Sequence, residues 1–117
     1  MALSDLTEPA RLDLKLVAGD SFRRSIVLKS SDGTPIDLTG LTARAQIRDR
    51  PAGKLLADIT TTVDAPTTGE IVLTLTTVQT RALNSHGVWD LELDGGVSNT
   101  HTIVGGEVRV LPDVTVA

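Results

Sequence analysis

The sequence predicts an all-β domain, a sandwich or small barrel of about seven or eight short strands, on three observations. Apolar residues recur at every second position along most of the chain. Clusters of Gly, Pro, Asp and Ser interrupt that alternation at regular intervals. Sixteen of the 117 residues are threonine, whose β-branched side chain fits a pleated, half-buried surface. The length suits one domain, read as a sandwich over residues 11–112 with an N-terminal arm at 1–10 and a tail at 113–117.

The strands follow in order. Leu12, Leu14 and Leu16 alternate with Asp13 and Lys15, giving a first strand with one buried face. Ala18-Gly19-Asp20 turns the chain. Phe22, Ile26 and Leu28 then share one parity and Arg23, Ser25, Val27 and Lys29 the other. Ser31-Asp32-Gly33-Thr34-Pro35 is a turn, because Asp-Gly tolerates positive φ and proline presets its own. The cleanest alternation places Leu41, Ala43, Ala45 and Ile47 inward and Thr42, Arg44, Gln46 and Arg48 outward. After Pro51-Ala52-Gly53, the residues Leu55, Ala57, Ile59, Thr61 and Val63 mark the next inner face. A turn at Ala65-Pro66-Thr67-Thr68-Gly69 leads to Ile71, Leu73 and Leu75.

Residues 77–83 break the rhythm. A Ser/Thr N-cap, good helix formers and a closing Asn84 predict one short helical turn, with Val78 and Ala82 on a common face. It would carry the chain between sheets. Trp89, Leu91 and Leu93 then alternate with Asp90, Glu92 and Asp94, which puts the tryptophan in the core. A last strand runs from His101 to Leu111, where Gly105-Gly106 predicts a bulge or bend.

Composition narrows the function. Hydrophobic residues make up 40% of the chain, enough for one core, while the aromatics are only Phe22 and Trp89. That disfavours stacking on bases or sugars, and a net charge of −4 disfavours nucleic acid. No cysteine is present, which excludes disulfides, thiolate chemistry and cysteine-bound metals. The N-terminus lacks the basic start and apolar run of a secretory leader, and no run suits a membrane span. Charge is uneven: residues 1–54 hold nine Lys/Arg against seven Asp/Glu, and residues 55–117 hold two against eight. Either this is an ordinary solvated surface, or the basic and acidic sides of the module meet neighbouring copies or partners and set their orientation.

No motif carries catalysis. His86 lies in a turn and His101 opens the last strand, without the spacing of a zinc site. Ser85 beside His86 is first a turn, and no nucleophile elbow exists. Asp90, Glu92 and Asp94 share one outward face, as solvated strand residues do. Gly105-Gly106 is followed by neither Lys-Ser/Thr nor a helix start, so it forms no phosphate loop. No cofactor and no metal is expected. Arg44, Arg48, Arg50 and Lys54 form either a solvated, edge-protecting face or a contact patch for an acidic partner. Leu3 and Leu6, in the arm, have no place in the alternation. They are candidate anchors in an arm expected to order on docking.

The stretch Ile36-Asp37-Leu38-Thr39-Gly40-Leu41-Thr42-Ala43-Arg44-Ala45-Gln46-Ile47-Arg48 resembles the (I/V)-D-L-T-G-x-T-A-x-x-Q-I-R pattern of small proteins of tailed bacteriophages and prophages. Gly69-Glu70-Ile71-Val72-Leu73-Thr74-Leu75-Thr76, Gln79-Thr80-Arg81-Ala82-Leu83 and Trp89-Asp90-Leu91-Glu92-Leu93 extend the likeness across roughly residues 12–112. The chain is thus similar to the N-terminal domain of phage baseplate upper proteins. It departs from them in carrying a tryptophan at 89 and a shorter loop after Leu93. The resemblance implies an immunoglobulin-like antiparallel β-sandwich with no catalytic residues. It implies a virion component of tail or baseplate, in several symmetric copies, docking on other phage structural proteins. A capsid decoration protein docking on the major capsid protein is the alternative, and a module binding host-surface glycans is the alternative of another class.

Overall fold

A computed structural model of the chain describes residues 10–30, 32–96 and 100–112. Among these residues are eight strands: β1 (Ala10–Arg11), β2 (Leu14–Val17), β3 (Phe22–Val27), β4 (Thr42–Arg48), β5 (Leu55–Thr62), β6 (Glu70–Leu75), β7 (Gly87–Asp94) and β8 (Thr100–Leu111). They follow the order β1-β8-β7-β4-β5-β6-β3, with β2 also on β8. The sheet curls on itself through β5. Residues 57–59 of β5 pair with β4, and Thr60, Thr61 and Thr62 pair with β6, so this one strand passes from the first layer to the second. The ladders are antiparallel except where β1 and β2 run parallel to β8. Ala10 pairs with Val104, so the sheet claims the last residue assigned to the arm.

Alternation was followed closely. Leu14, Leu16, Ala45, Ile47, Trp89, Leu91, Leu93, Val104 and Val108 of the first layer meet Ile71, Leu73 and Leu75 of the second in one buried core. Full burial of side chains of this size contributes about 1.5–3 kcal/mol each. Leu28, Ile36 and Leu38 close one end of the core and Leu83 is buried with it.

Three expectations need correction, and each has a local cause. Leu55 does not face the core: it is 40% exposed. Ile47 pairs with Ala57 but Arg48 pairs with Leu55, so Leu56 is an extra residue and the parity flips there. The last strand is not interrupted at Gly105-Gly106 either. Its irregularity lies at Ile103, between the pairs Leu91–Val104 and Glu92–Thr102, and the bulge lets consecutive Ile103 and Val104 both be buried. The glycines instead make room for the first strand. A Cβ on Gly106 would lie 2.4 Å from the carbonyl oxygen of Leu12.

That crossing interrupts the first strand at Leu12 and Asp13. The indole Nε1–H of Trp89 donates to the Leu12 carbonyl at 2.7 Å, and the Asp13 carboxylate accepts the Glu107 N–H at 2.9 Å. Side chains therefore complete the hydrogen bonding where the ladder between β1/β2 and β8 lapses.

The expected helical turn is present as α1 (Thr77–Arg81), and the third correction concerns only how it ends. Thr76 caps it, and its hydroxyl and the Gln79 side chain exchange bonds with each other's backbone N–H. Asn84 does not adopt the left-handed cap conformation, and Ala82 ends the helix with ordinary right-handed angles. Val78 and Ala82 face solvent; the buried member is Thr80. Its hydroxyl donates to Asp20 O at 2.8 Å and accepts from Gly19 N–H at 3.1 Å, which ties α1 to the β2–β3 turn. Thr80→Val keeps the shape and removes both bonds. It should cost about 1–3 kcal/mol, read as a lower urea midpoint at unchanged slope, with Thr80→Ser closer to wild type.

Candidate interaction surface

The outer face of the first layer is a charged grid set by register. Arg44 lies opposite Glu92, Gln46 opposite Asp90 and Asp58, and Arg48 opposite Val88 and Leu55. On the other side Gly105 lies opposite Asp90 and Glu107 opposite Val88, with Arg11 beside Gly105. Gly106 brings no side chain, and beside it the face sinks into an open groove of about 590 Å³ between Arg11 and Glu107 on one flank and Gln46, Arg48, Asp90 and Glu92 on the other.

Each wall is held differently. Arg48 donates through Nη1 to Gly53 O at 2.8 Å and through Nη2 to Gln46 Oε1 at 2.9 Å. Gln46 Nε2 in turn donates to Asp58 Oδ1 at 3.0 Å. This chain of bonds closes the β4–β5 hairpin and fixes that wall. Opposite, Arg11 stands 3.2 Å from Asp13 and 3.9 Å from Glu107, exposed pairs that contribute little to stability. The side chains of Arg44, Asp90 and Glu92 bond to no other described residue.

The four basic residues singled out in the sequence are thus not gathered into one uniformly basic patch. Arg44 and Arg48 share the outer face, but Arg48 is spent on the hairpin. Arg50 and Lys54 sit in the β4–β5 turn, where the Arg50 side chain is 77% exposed and 4.0 Å from Asp49. Acids interleave with all of them. Nor do these charges protect an edge, since β4 lies between β7 and β5. The protected edge is β3. There Arg24 pairs with buried Leu73 and so points to the inner side, a charge that opposes strand addition. Leu3 and Leu6 lie outside the described residues. Sequence reasoning missed Arg11, Gly106 and Glu107 as parts of one surface, because the β7–β8 register sets Gly106 and Glu107 beside β7 and only the parallel pairing of β1 with β8 adds Arg11.

The histidines do not converge. His86 Nδ1 accepts the Val110 N–H at 3.0 Å, extending the β7–β8 ladder by a side chain, and His101 pairs with Leu93 near the other end of β8. At the rise of a strand they stand roughly 30 Å apart. Among the described residues no three His, Asp or Glu side chains gather as metal ligands would.

The Ile36–Arg48 stretch has a structural reading. The Asp37 carboxylate accepts from the Thr39 N–H at 3.0 Å and the Thr39 hydroxyl at 2.6 Å. Gly40, at φ 78°, completes a turn closed by Leu41 N–H to Leu38 O, while Ile36 and Leu38 enter the core. The motif builds the corner that launches β4. Its bonds hold the Asp37 carboxyl below the ordinary 3.8, and the Ser30 hydroxyl with the Thr34 N–H and hydroxyl lowers Asp32 to about 2. Both folded values are depressed, so both loops are held above pH 3.8 and loosen as pH falls below it. The Thr34 amide shift should therefore titrate with a midpoint near 2, and the Thr39 amide below 3.8, in an NMR titration.

Comparison with known proteins defines the class of the fold. An immunoglobulin-like domain of mouse leukocyte-associated immunoglobulin-like receptor 1, described as a strand-swapped dimer, superposes with a TM-score of 0.50 at 15% identity, over 85% of this chain and 88% of that one. The N-terminal Ig1-2 module of the Drosophila receptor protein tyrosine phosphatase DLAR gives a TM-score of 0.47 at 12% identity, over 90% of this chain and 47% of that one. The chain spans about half the length of that module. No family model matches the sequence, and no curated protein does. The protein is an immunoglobulin-like β-sandwich. Likeness at these identities is one of fold alone.

Proposed function

We propose that this chain is a non-catalytic structural protein of a tailed-bacteriophage virion, a tail- or baseplate-associated module that works through protein–protein contacts in several symmetric copies. The setting rests on the resemblance over residues 12–112, and the mode of action on the outer face of the first layer. That face carries the reading. Its groove is open, its walls alternate in charge, and Arg44, Asp90 and Glu92 are left for an outside partner. Charged, rigid sheet faces of this kind steer and orient a protein partner. A glycan site would want an exposed aromatic platform, whereas Trp89 is 3% exposed.

The test is the position of the chain in the particle, read from a cryo-EM map of intact virions. Density at the tail or baseplate is expected. Density on the capsid shell would replace this reading with capsid decoration, and purified particles without the chain would overturn it. Arg44→Gln, which disturbs no bond within the described fold and sets no acid opposite Glu92, should reduce incorporation while leaving thermal stability unchanged.

A further inference from the structure

We propose that copies of this chain associate head to tail, the acidic loop end of one sandwich against the basic turn-and-helix end of the next. The inference rests on the reading of the protein as an interaction module but not on its virion setting.

The two ends differ in charge because the topology sorts the loops. At the end where β7 finishes and β8 begins lie the 28–41 and 63–69 loops, bound together by Leu28 N–H to Gly69 O and Leu38 N–H to Pro66 O. Among the described residues this end exposes Asp32, Asp37, Asp64, Glu70 and Asp94 against Lys29 alone. At the other end lie the β2–β3 and β4–β5 turns, α1 and the end of β8. It exposes Lys15, Arg50, Lys54, Arg81 and Arg109 against Asp20 and Asp49. Lys15 and Arg109 stand side by side in register, two like charges that nothing within the ladder requires.

Magnitudes favour contacts between molecules over compensation within one. The molecule is 46 Å long, whereas the Debye length is about 8 Å at physiological ionic strength. The two ends therefore do not neutralise each other, and a facing surface of opposite net sign is left to a neighbouring molecule. A second copy presents that surface at its other end. The flanks offer less: the first layer's outer face mixes both signs, the second layer's outer face sets Arg23, Ser25 and Val27 beside Thr74, Val72 and Glu70, with Thr60 and Thr62 next to them and neither sign dominant, and the β3 edge is guarded by Arg24. A contact between unlike ends is heterologous, so it propagates into a ring or a stack, not a closed twofold dimer.

Sedimentation velocity of the full chain tests this. At low salt, where the Debye length is about 30 Å, the wild type should grow beyond monomer as its concentration rises; near 1 M salt, association should weaken by roughly tenfold or more. Arg50→Glu with Lys54→Glu makes both ends acidic, and Asp64→Lys with Glu70→Lys leaves the loop end with no net charge. Each double variant alone should stay monomeric at low salt with its melting temperature near wild type, and an equimolar mixture should associate again. A wild type that stays monomeric at every concentration, variants that associate like the wild type, or a mixture that does not recover would each overturn head-to-tail contact. Particle incorporation separates the two readings: monomeric variants that still enter virions sink the stacking alone.

Discussion

Replacing Trp89 by alanine should cost about 3–5 kcal/mol, the range for deleting a large buried aromatic side chain. At roughly 4 °C per kcal/mol for a domain of this size, its melting temperature should fall by well over 10 °C. Two terms combine. The ring is 3% exposed in the centre of the core, and its indole N–H satisfies the Leu12 carbonyl that the first strand leaves out of the ladder. Trp89→Phe separates them. It keeps most of the apolar surface and loses the donor, so the hydrogen bond should appear as about 0.5–1.5 kcal/mol, more if the carbonyl is left dry. A phenylalanine variant as stable as the wild type in urea would show that the bond contributes nothing.

Gly106→Ala should be nearly as damaging, although it adds a single methyl. The added Cβ would lie 2.4 Å from Leu12 O and 2.6 Å from Asp13 Oδ1, distances that backbone cannot absorb without moving. Displacing residues 12 and 13 breaks the bonds to Trp89 and Glu107 together. Strain of about 1–3 kcal/mol plus two lost hydrogen bonds gives a total on the order of 3–5 kcal/mol. Gly105→Ala is the control. Its Cβ meets nothing nearer than Trp89 O at 3.1 Å, a far milder approach, so its cost should stay within about 1 kcal/mol. Equal losses for the two alanines in thermal melts would refute the assignment of Gly106 to the crossing.

Much of this fold was legible in the chain because a half-buried strand must alternate. Leu41, Ala43, Ala45 and Ile47 declare β4 and its inner face without any partner, and Asp37-Leu38-Thr39-Gly40 encodes its own turn through one carboxylate and one positive φ. The bulges were half legible. Leu55-Leu56 and Ile103-Val104 place apolar residues side by side, which alternation forbids, but which residue of the pair turns outward depends on the partner strand. The groove was not legible at all. Arg11 and Glu107 are ninety-six positions apart and meet only because β1 lies parallel to β8.

By itself, then, the order of residues settled the all-β class, the strand positions, the burial of Trp89 and the capped turn before β7. These depend on the local geometry of a pleated chain or a single helical turn, which neighbours in sequence specify. The tertiary structure alone decided the parallel placement of the first strand, the passage of β5 between layers, the burial of Thr80 and the sorting of acidic and basic loops to opposite ends. Those follow from which strands pair and in what register, and pairing energy is shared across distant segments that no local pattern records.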